Sequence, residues 1–102
     1  MTFILRIHKR PDGTLLLAIC DKEVCGKKHV EGKLQIDTSI TFYKGEEVTE
    51  EEVKKILPCA THLNLVGQKA VGLAKSMGYI QHEKILKISG VPYAECVIIQ
   101  ES

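Results

Sequence analysis

The sequence has no tryptophan and only five aromatic residues, Phe3, Phe42, Tyr43, Tyr79 and Tyr93. They supply no doubled stacking platform of the kind found on RNA-binding sheets. Arginine is nearly absent, with two residues, and Asn64 is the single asparagine. No apolar run approaches the ~20 residues a membrane helix needs, so no membrane association is expected. The first six residues, Met-Thr-Phe-Ile-Leu-Arg, lack a basic start and a long apolar stretch, so they do not read as a signal peptide. Four cysteines in 102 residues are too few for a disulfide-stapled secreted scaffold, which leaves a reducing cytoplasm as the expected compartment. A Walker loop, a dinucleotide fingerprint, a nucleophile elbow and an H-E-x-x-H pair are all missing. Net charge is only +1, which gives no global field to draw nucleic acid or an acidic membrane.

What is present suits one small core. Hydrophobic residues make up 44% and charged residues 26%, an ordinary balance for a folded domain. Lys and Glu supply 22 of the 27 charges, a bias that points to a thermophilic source. The charge is unevenly spread: net +3 over residues 1–36, −3 over 37–64 and +1 over the rest.

Residues 3–8 alternate apolar and polar, with Phe3, Leu5 and Ile7 on one face, as in a half-buried strand. Pro11-Asp12-Gly13 supplies turn chemistry, and residues 14–20 follow as a buried strand, so an antiparallel hairpin is predicted. Asp21 reads as the cap of a short helix through Val24 and Cys25, with Lys27-Lys28-His29 at its end. Glu31-Gly32 turns the chain into a strand over residues 33–37, which Ile40 and Phe42 extend or follow. Thr49-Glu50-Glu51-Glu52 is a capping box, and Val48 and Val53 form its hydrophobic staple. This opens a helix over residues 49–57, stopped by Pro58, and explains the acidic run as helix-start chemistry. Val66, Ala70, Leu73, Ala74 and Met77 recur at helical spacing, so a second helix is predicted over residues 65–77. Asn64 serves there as N-cap, and Gly78 with Tyr79 as the terminating pair. Residues 84–89 and 94–100 read as two further strands. The expected fold is a single α+β domain over residues 1–102. It has a largely antiparallel or mixed sheet, an N-terminal hairpin and helices mainly on one face. Phe3, Leu5, Ile7, Leu15, Leu17, Val53, Ile56, Ala70, Leu73, Ala74 and Ile98 are the expected core.

Three stretches, in order, carry a resemblance. They are Phe42-Tyr43-Lys44-Gly45, Asn64-Leu65-Val66-Gly67 running into Ala70-Val71, and Gly90-Val91-Pro92-Tyr93-Ala94. Together with the opening hairpin they resemble a small archaeal family known as domain of unknown function 424. The resemblance implies an archaeal cytosolic protein and implies no activity, cofactor or catalytic residue.

The polar constellations are sparse. Cys20, Cys25, Cys59 and His62 offer C-x₄-C and C-x₂-H spacings, but no second pair completes a tetrahedral zinc site, so neither metal nor cofactor is expected. Cys59 and His62 are the one adjacent thiol–imidazole pair. They follow a helix C-terminus, whose negative end disfavours a thiolate, so no catalytic residue is assigned. Gly67 has two readings. Either it admits a small anion to free amides at a helix start, with Asn64, Lys69, Tyr43 and Tyr93 around it, or it lets the helix pack close. The expected function is a non-catalytic binding or adaptor domain for a protein or RNA partner. The alternative is a small enzyme or anion-binding protein using the Asn64–Gly67 junction.

Overall fold

The computed structural model of the chain describes residues 2–98. Strand β1 (Thr2–Lys9) and strand β2 (Leu15–Asp21) form the predicted antiparallel hairpin, with Ile7 opposite Leu17. The Pro11–Gly13 turn closes through hydrogen bonds donated by the Gly13 amide to the Arg10 carbonyl and by the Thr14 amide to the Asp12 carboxylate. Strands β3 (Lys28–Glu31) and β4 (Leu34–Asp37) form a separate two-stranded ribbon. Strand β5 (Glu46–Thr49) lies on the free edge of β1. Helix α1 (Glu50–Ile56) opens with the capping box in place, Thr49 accepting from the Glu52 amide while Glu52 reaches back. Strand β6 (His62–Val66), helix α2 (Gln68–Ser76) and strands β7 (Leu86–Ile88) and β8 (Val91–Val97) complete the chain.

The main sheet has the order β5-β1-β2-β6-β8-β7. Every pairing is antiparallel except β2 with β6, so the sheet is mixed. Period-two alternation sends Phe3, Leu5, Leu17, Ile19, Leu63, Leu65 and Ala94 to one side. There they meet Val53 of α1 and Ala70, Val71 and Ala74 of α2. The same alternation sends Ala18, Cys20 and Val66 to the opposite side, where Tyr43 and Ile36 cover part of them. Both helices therefore lie on one face, as expected for this α+β class, and the other face carries the ribbon, a single-turn 3₁₀ segment at Thr41–Tyr43 and the Val24–Cys25 turn. Among the described residues no helix is long and apolar enough to cross a membrane.

Several local expectations are corrected. Residues 22–26 form a turn, not a short helix: the Asp21 carbonyl accepts from the Val24 and Cys25 amides, and Gly26 follows at φ +80°. Lys28 and His29 belong to β3, because the turn at Gly32 folds that segment onto β4. Phe42 lies in the 3₁₀ turn rather than extending a strand. The strand at 46–49 carries acidic side chains because it is an edge that buries only Val48. Asn64 and Val66 are strand residues, and α2 begins at Gln68. A short run buried on both faces has the same apolar signature as a helix turn, and here the sheet takes it. Ile7 and Met77 lie more than a third exposed, outside the core. Helix α2 does end as expected, with Gly78 at φ +85° and the Tyr79 amide on the Ala74 carbonyl. The strand expected over 84–89 is shortened by a 3₁₀ turn at His82–Lys84, and the last two residues of the strand expected over 94–100 lie outside the described residues.

Candidate functional site

On the helix-free face, Asn64 stands at the middle of the sheet, with Ala18 of β2 on one side and Glu95 of β8 on the other. The small Ala18 leaves room above it, and Tyr43 enters that room from the 3₁₀ turn. Its hydroxyl donates to Asn64 Oδ1 at 2.6 Å. Asn64 Nδ2 donates to Glu95 Oε1 at 3.1 Å and lies 3.3 Å from the Tyr93 hydroxyl. The Tyr93 hydroxyl in turn donates to Glu95 Oε1. Burial, then the charge of Glu95, pushes the Tyr43 phenol up to about 12, so it stays a donor. Gly45, two residues on, lies so close to the Leu5 backbone that a side chain there would collide, which fixes the turn against β1.

Two clefts flank this network. One, of about 520 Å³, is lined by Asn64 and Glu95 with Arg10, Leu16, Phe42 and His62. Phe42 is stacked on His8 at 4.5 Å between ring centroids, and His8 Nε2 lies 3.0 Å from the Phe42 carbonyl. The other cleft, of about 440 Å³, lies between the ribbon and β7. Tyr43 and Tyr93 form one wall, and Leu34, Ile36, Ile40 and Leu86 form much of the rest.

Of the five residues singled out in the sequence, Tyr43, Asn64 and Tyr93 are brought together here. Gly67 and Lys69 are not. They lie at the junction of β6 and α2, where the Asp21 carboxylate accepts from the Lys69 amide at 2.9 Å and the Ala70 amide at 2.7 Å. The amides that a free anion would use are thus held by the chain's own carboxylate. Lys69 Nζ pairs instead with Glu23 at 3.1 Å. Asp21 is buried, and that burial raises its pKa against the lowering effect of the two amides.

Sequence reasoning assigns Asp21 to the wrong helix and misses Glu95. Asp21 carried a signal: an aspartate ending a buried strand needs a partner, and a helix preceded by Gly67 with no Ser, Thr or Asp cap needs a donated one. Glu95 had none beyond its alternation with Tyr93 along β8. Cys59 sits exposed in a 3₁₀ turn, while His62 lies in β6 with Nδ1 3.0 Å from Thr61 Oγ1. Among the described residues no group of three or more His, Cys, Asp and Glu is arranged to hold a metal ion. Among the described residues, Asn64 Nδ2 and the Tyr93 hydroxyl are the hydrogen-bond donors to Glu95.

These features define a small α+β domain whose mixed sheet is covered by helices on one side and carries clefts on the other. The chain belongs to the family described as "Protein of unknown function (DUF424)", whose sequence model matches residues 8–99. It is similar in fold to a crystal structure of an uncharacterized conserved protein from Methanopyrus kandleri. The TM-score is 0.79 at 21% identity, over 100% of this chain and 96% of that one. No curated protein matches the sequence significantly.

Proposed function

We propose that this protein is a non-catalytic binding domain that takes an apolar segment of a protein partner on the helix-free side of its sheet. One observation carries the reading. Leu34, Ile40 and Leu86 are 52%, 48% and 54% exposed and line one cleft. Grouped exposed apolar side chains favour a partner that removes them from water. Tyr43 and Tyr93 give this cleft a wall already fixed by hydrogen bonds, which lowers the ordering cost of binding. The near-zero net charge argues for a protein over a polyanion. The anion-binding reading at Asn64–Gly67 is weakened by the Asp21 carboxylate that already sits on the helix start. We also place the protein in the cytoplasm of a thermophilic archaeon, on its four free thiols, its Lys and Glu bias and its archaeal relative.

An RNA partner is the second reading, favoured by Arg10, His62 and the stacked His8–Phe42 pair around the larger cleft. Capture from an archaeal cell extract separates the two. A protein should be retained by the wild type and by Met77→Glu, an exposed apolar site away from the cleft, but lost with Ile40→Glu or Leu86→Glu. Capture that RNase abolishes, or that survives both cleft substitutions, overturns the proposal.

A further inference from the structure

A third cleft, of about 270 Å³, lies on the helix side of the sheet between α2 and the β7–β8 hairpin. Gln68, Gly72 and Lys75 line it from one face of α2, at i, i+4 and i+7. His82 and Lys87 line it from the following turn and from β7. Lys75 Nζ lies 3.1 Å from His82 Nδ1. An ammonium can only donate, so Nδ1 accepts and the ring proton is carried on Nε2. Three donor-bearing side chains thus line one cleft, and among the described residues no carboxylate lines it. Among the described residues neither Lys75 nor Lys87 is in an ion pair, whereas Lys22, Lys54 and Lys69 are. The floor is apolar, made by Val71, Ile85 and Pro92.

Gly72 is the second, independent observation. It stands in the centre of α2, where glycine costs helix stability relative to alanine. Six of the eight glycines have positive φ, and Gly45 lies against the Leu5 backbone. Gly72 has neither reason: its φ is not positive, and a Cβ built there would meet nothing within 4 Å. Packing and backbone geometry therefore leave its missing side chain unexplained. A ligand that approaches the helix backbone through this cleft explains it.

We infer that this cleft binds a small phosphate ester, with the phosphate between Lys75, His82 and Lys87 and an apolar or ring body against Val71 and Pro92. Two ammonium groups and an imidazole N–H suit the charge and the several acceptor oxygens of a phosphate better than a single carboxylate. The volume admits a phosphate and one ring.

Phenyl phosphate is the probe, followed by amide chemical shifts in the full chain. The expected result is saturable movement of the resonances of Gly72, Lys75, Lys87 and Gly90, with phenol producing none. Gly72→Ala should raise the melting temperature of the free protein by a few degrees, yet weaken phenyl phosphate at least tenfold. Lys75→Gln should weaken it similarly and leave the fold intact. Equal affinity of Gly72→Ala and wild type overturns the proposal. So does saturable movement confined to other residues. A short oligouridylate that moves the same resonances and binds more tightly than phenyl phosphate also overturns it, assigning the cleft to a nucleic-acid backbone.

Discussion

The carboxylate of Asp21 occupies the space that a side chain on Gly67 would need. Gly67 is the N-cap of α2 at φ +111°, a conformation L side chains rarely adopt, and it has no side chain to offer the helix. Asp21, at the end of β2, supplies the cap across the sheet instead. Each residue requires the other: the glycine makes room, and the aspartate satisfies the amides that the glycine leaves bare.

Gly67→Ala should therefore destabilise the fold twice over. Crowding at a packed position costs about 1–3 kcal/mol. Displacing the Asp21 cap adds about 0.5–2 kcal/mol. A chemical melt should show a loss of about 1.5–5 kcal/mol, outside the usual range for an exposed surface substitution. A variant as stable as wild type would mean that Asp21 does not depend on this space.

Asp21 should also leave a pH signature of unusual sign. Burial raises its folded pKa above the ordinary 3.8, more than the two amides lower it. The folded state then binds its proton more tightly than the unfolded state. Stability owed to Asp21 is full below the unfolded value and is lost as pH rises through the folded one. Relative to wild type, Asp21→Asn should gain ground as pH rises from about 3 towards 6, whereas ordinary ion-paired carboxylates give the opposite trend. Urea melts of both proteins at several pH values test this. A stability difference that is flat or reversed across that window would remove the burial account. Asp21→Ala, with no acceptor at all, should be less stable than both by ~1 kcal/mol or more.

Local chemistry was legible in the sequence wherever it depends on near neighbours. The Thr49–Glu52 capping box, the Pro11–Gly13 turn and the Gly78–Tyr79 helix end were all readable, because their partners lie within five residues. Apart from the local turn at residues 22–26, which reads as a helix, the main failures are long-range. Residues 63–66 have the apolar content of a helix start, and only their place between β2 and β8 makes them a strand. Asp21 caps a helix 48 residues on, so its place at the end of a buried strand shows that it needs a partner but not which one. The site was half legible for the same reason. Tyr43, Asn64 and Tyr93 stand out in the sequence as polar or aromatic residues in short motifs, but what joins Asn64 and Tyr93 is sheet register, which also brings in Glu95, while Tyr43 arrives from the 3₁₀ turn.

Tyr43→Phe should show what the sheet-face network contributes. The substitution keeps the ring and removes the donor to buried Asn64 Oδ1. An acceptor left without a partner in such a place costs about 1–3 kcal/mol. The loss should be smaller at high pH. With the phenol pushed up to about 12, Tyr43 contributes stability below the ordinary value near 10 and loses it as pH rises through the folded value. Absorbance titration at alkaline pH reads the same group directly: wild type should show a late-ionising tyrosine that the variant lacks. Identical titration curves would place the late ionisation elsewhere.

The four thiols make the last test, because their surroundings differ sharply. Cys59 is exposed, Cys25 and Cys96 are half-buried, and Cys20 is buried under the Tyr43 side of the sheet. Burial pushes the Cys20 thiol well above its usual range, with the neighbouring Cys25 adding to the effect, so little thiolate forms there. Burial also raises Cys96, against a backbone hydrogen bond from Leu63 that lowers it. Only the thiolate attacks a disulfide reagent, so rates should follow exposure and ionisation together. A chromogenic disulfide should label Cys59 first, and Cys59→Ser should remove that fast phase. Cys20 should react last, on the timescale of unfolding, and denaturant should expose it. The same assay bears on metal. A zinc held by Cys20 and Cys25 would protect both until a chelator was added, and would supply much of the folding energy of a domain this size. EDTA should change neither the labelling rates nor the melting temperature, because no third ligand is arranged beside that pair among the described residues. Chelator-dependent release of Cys20 would overturn this account and move the cysteine pair from the core to a metal site.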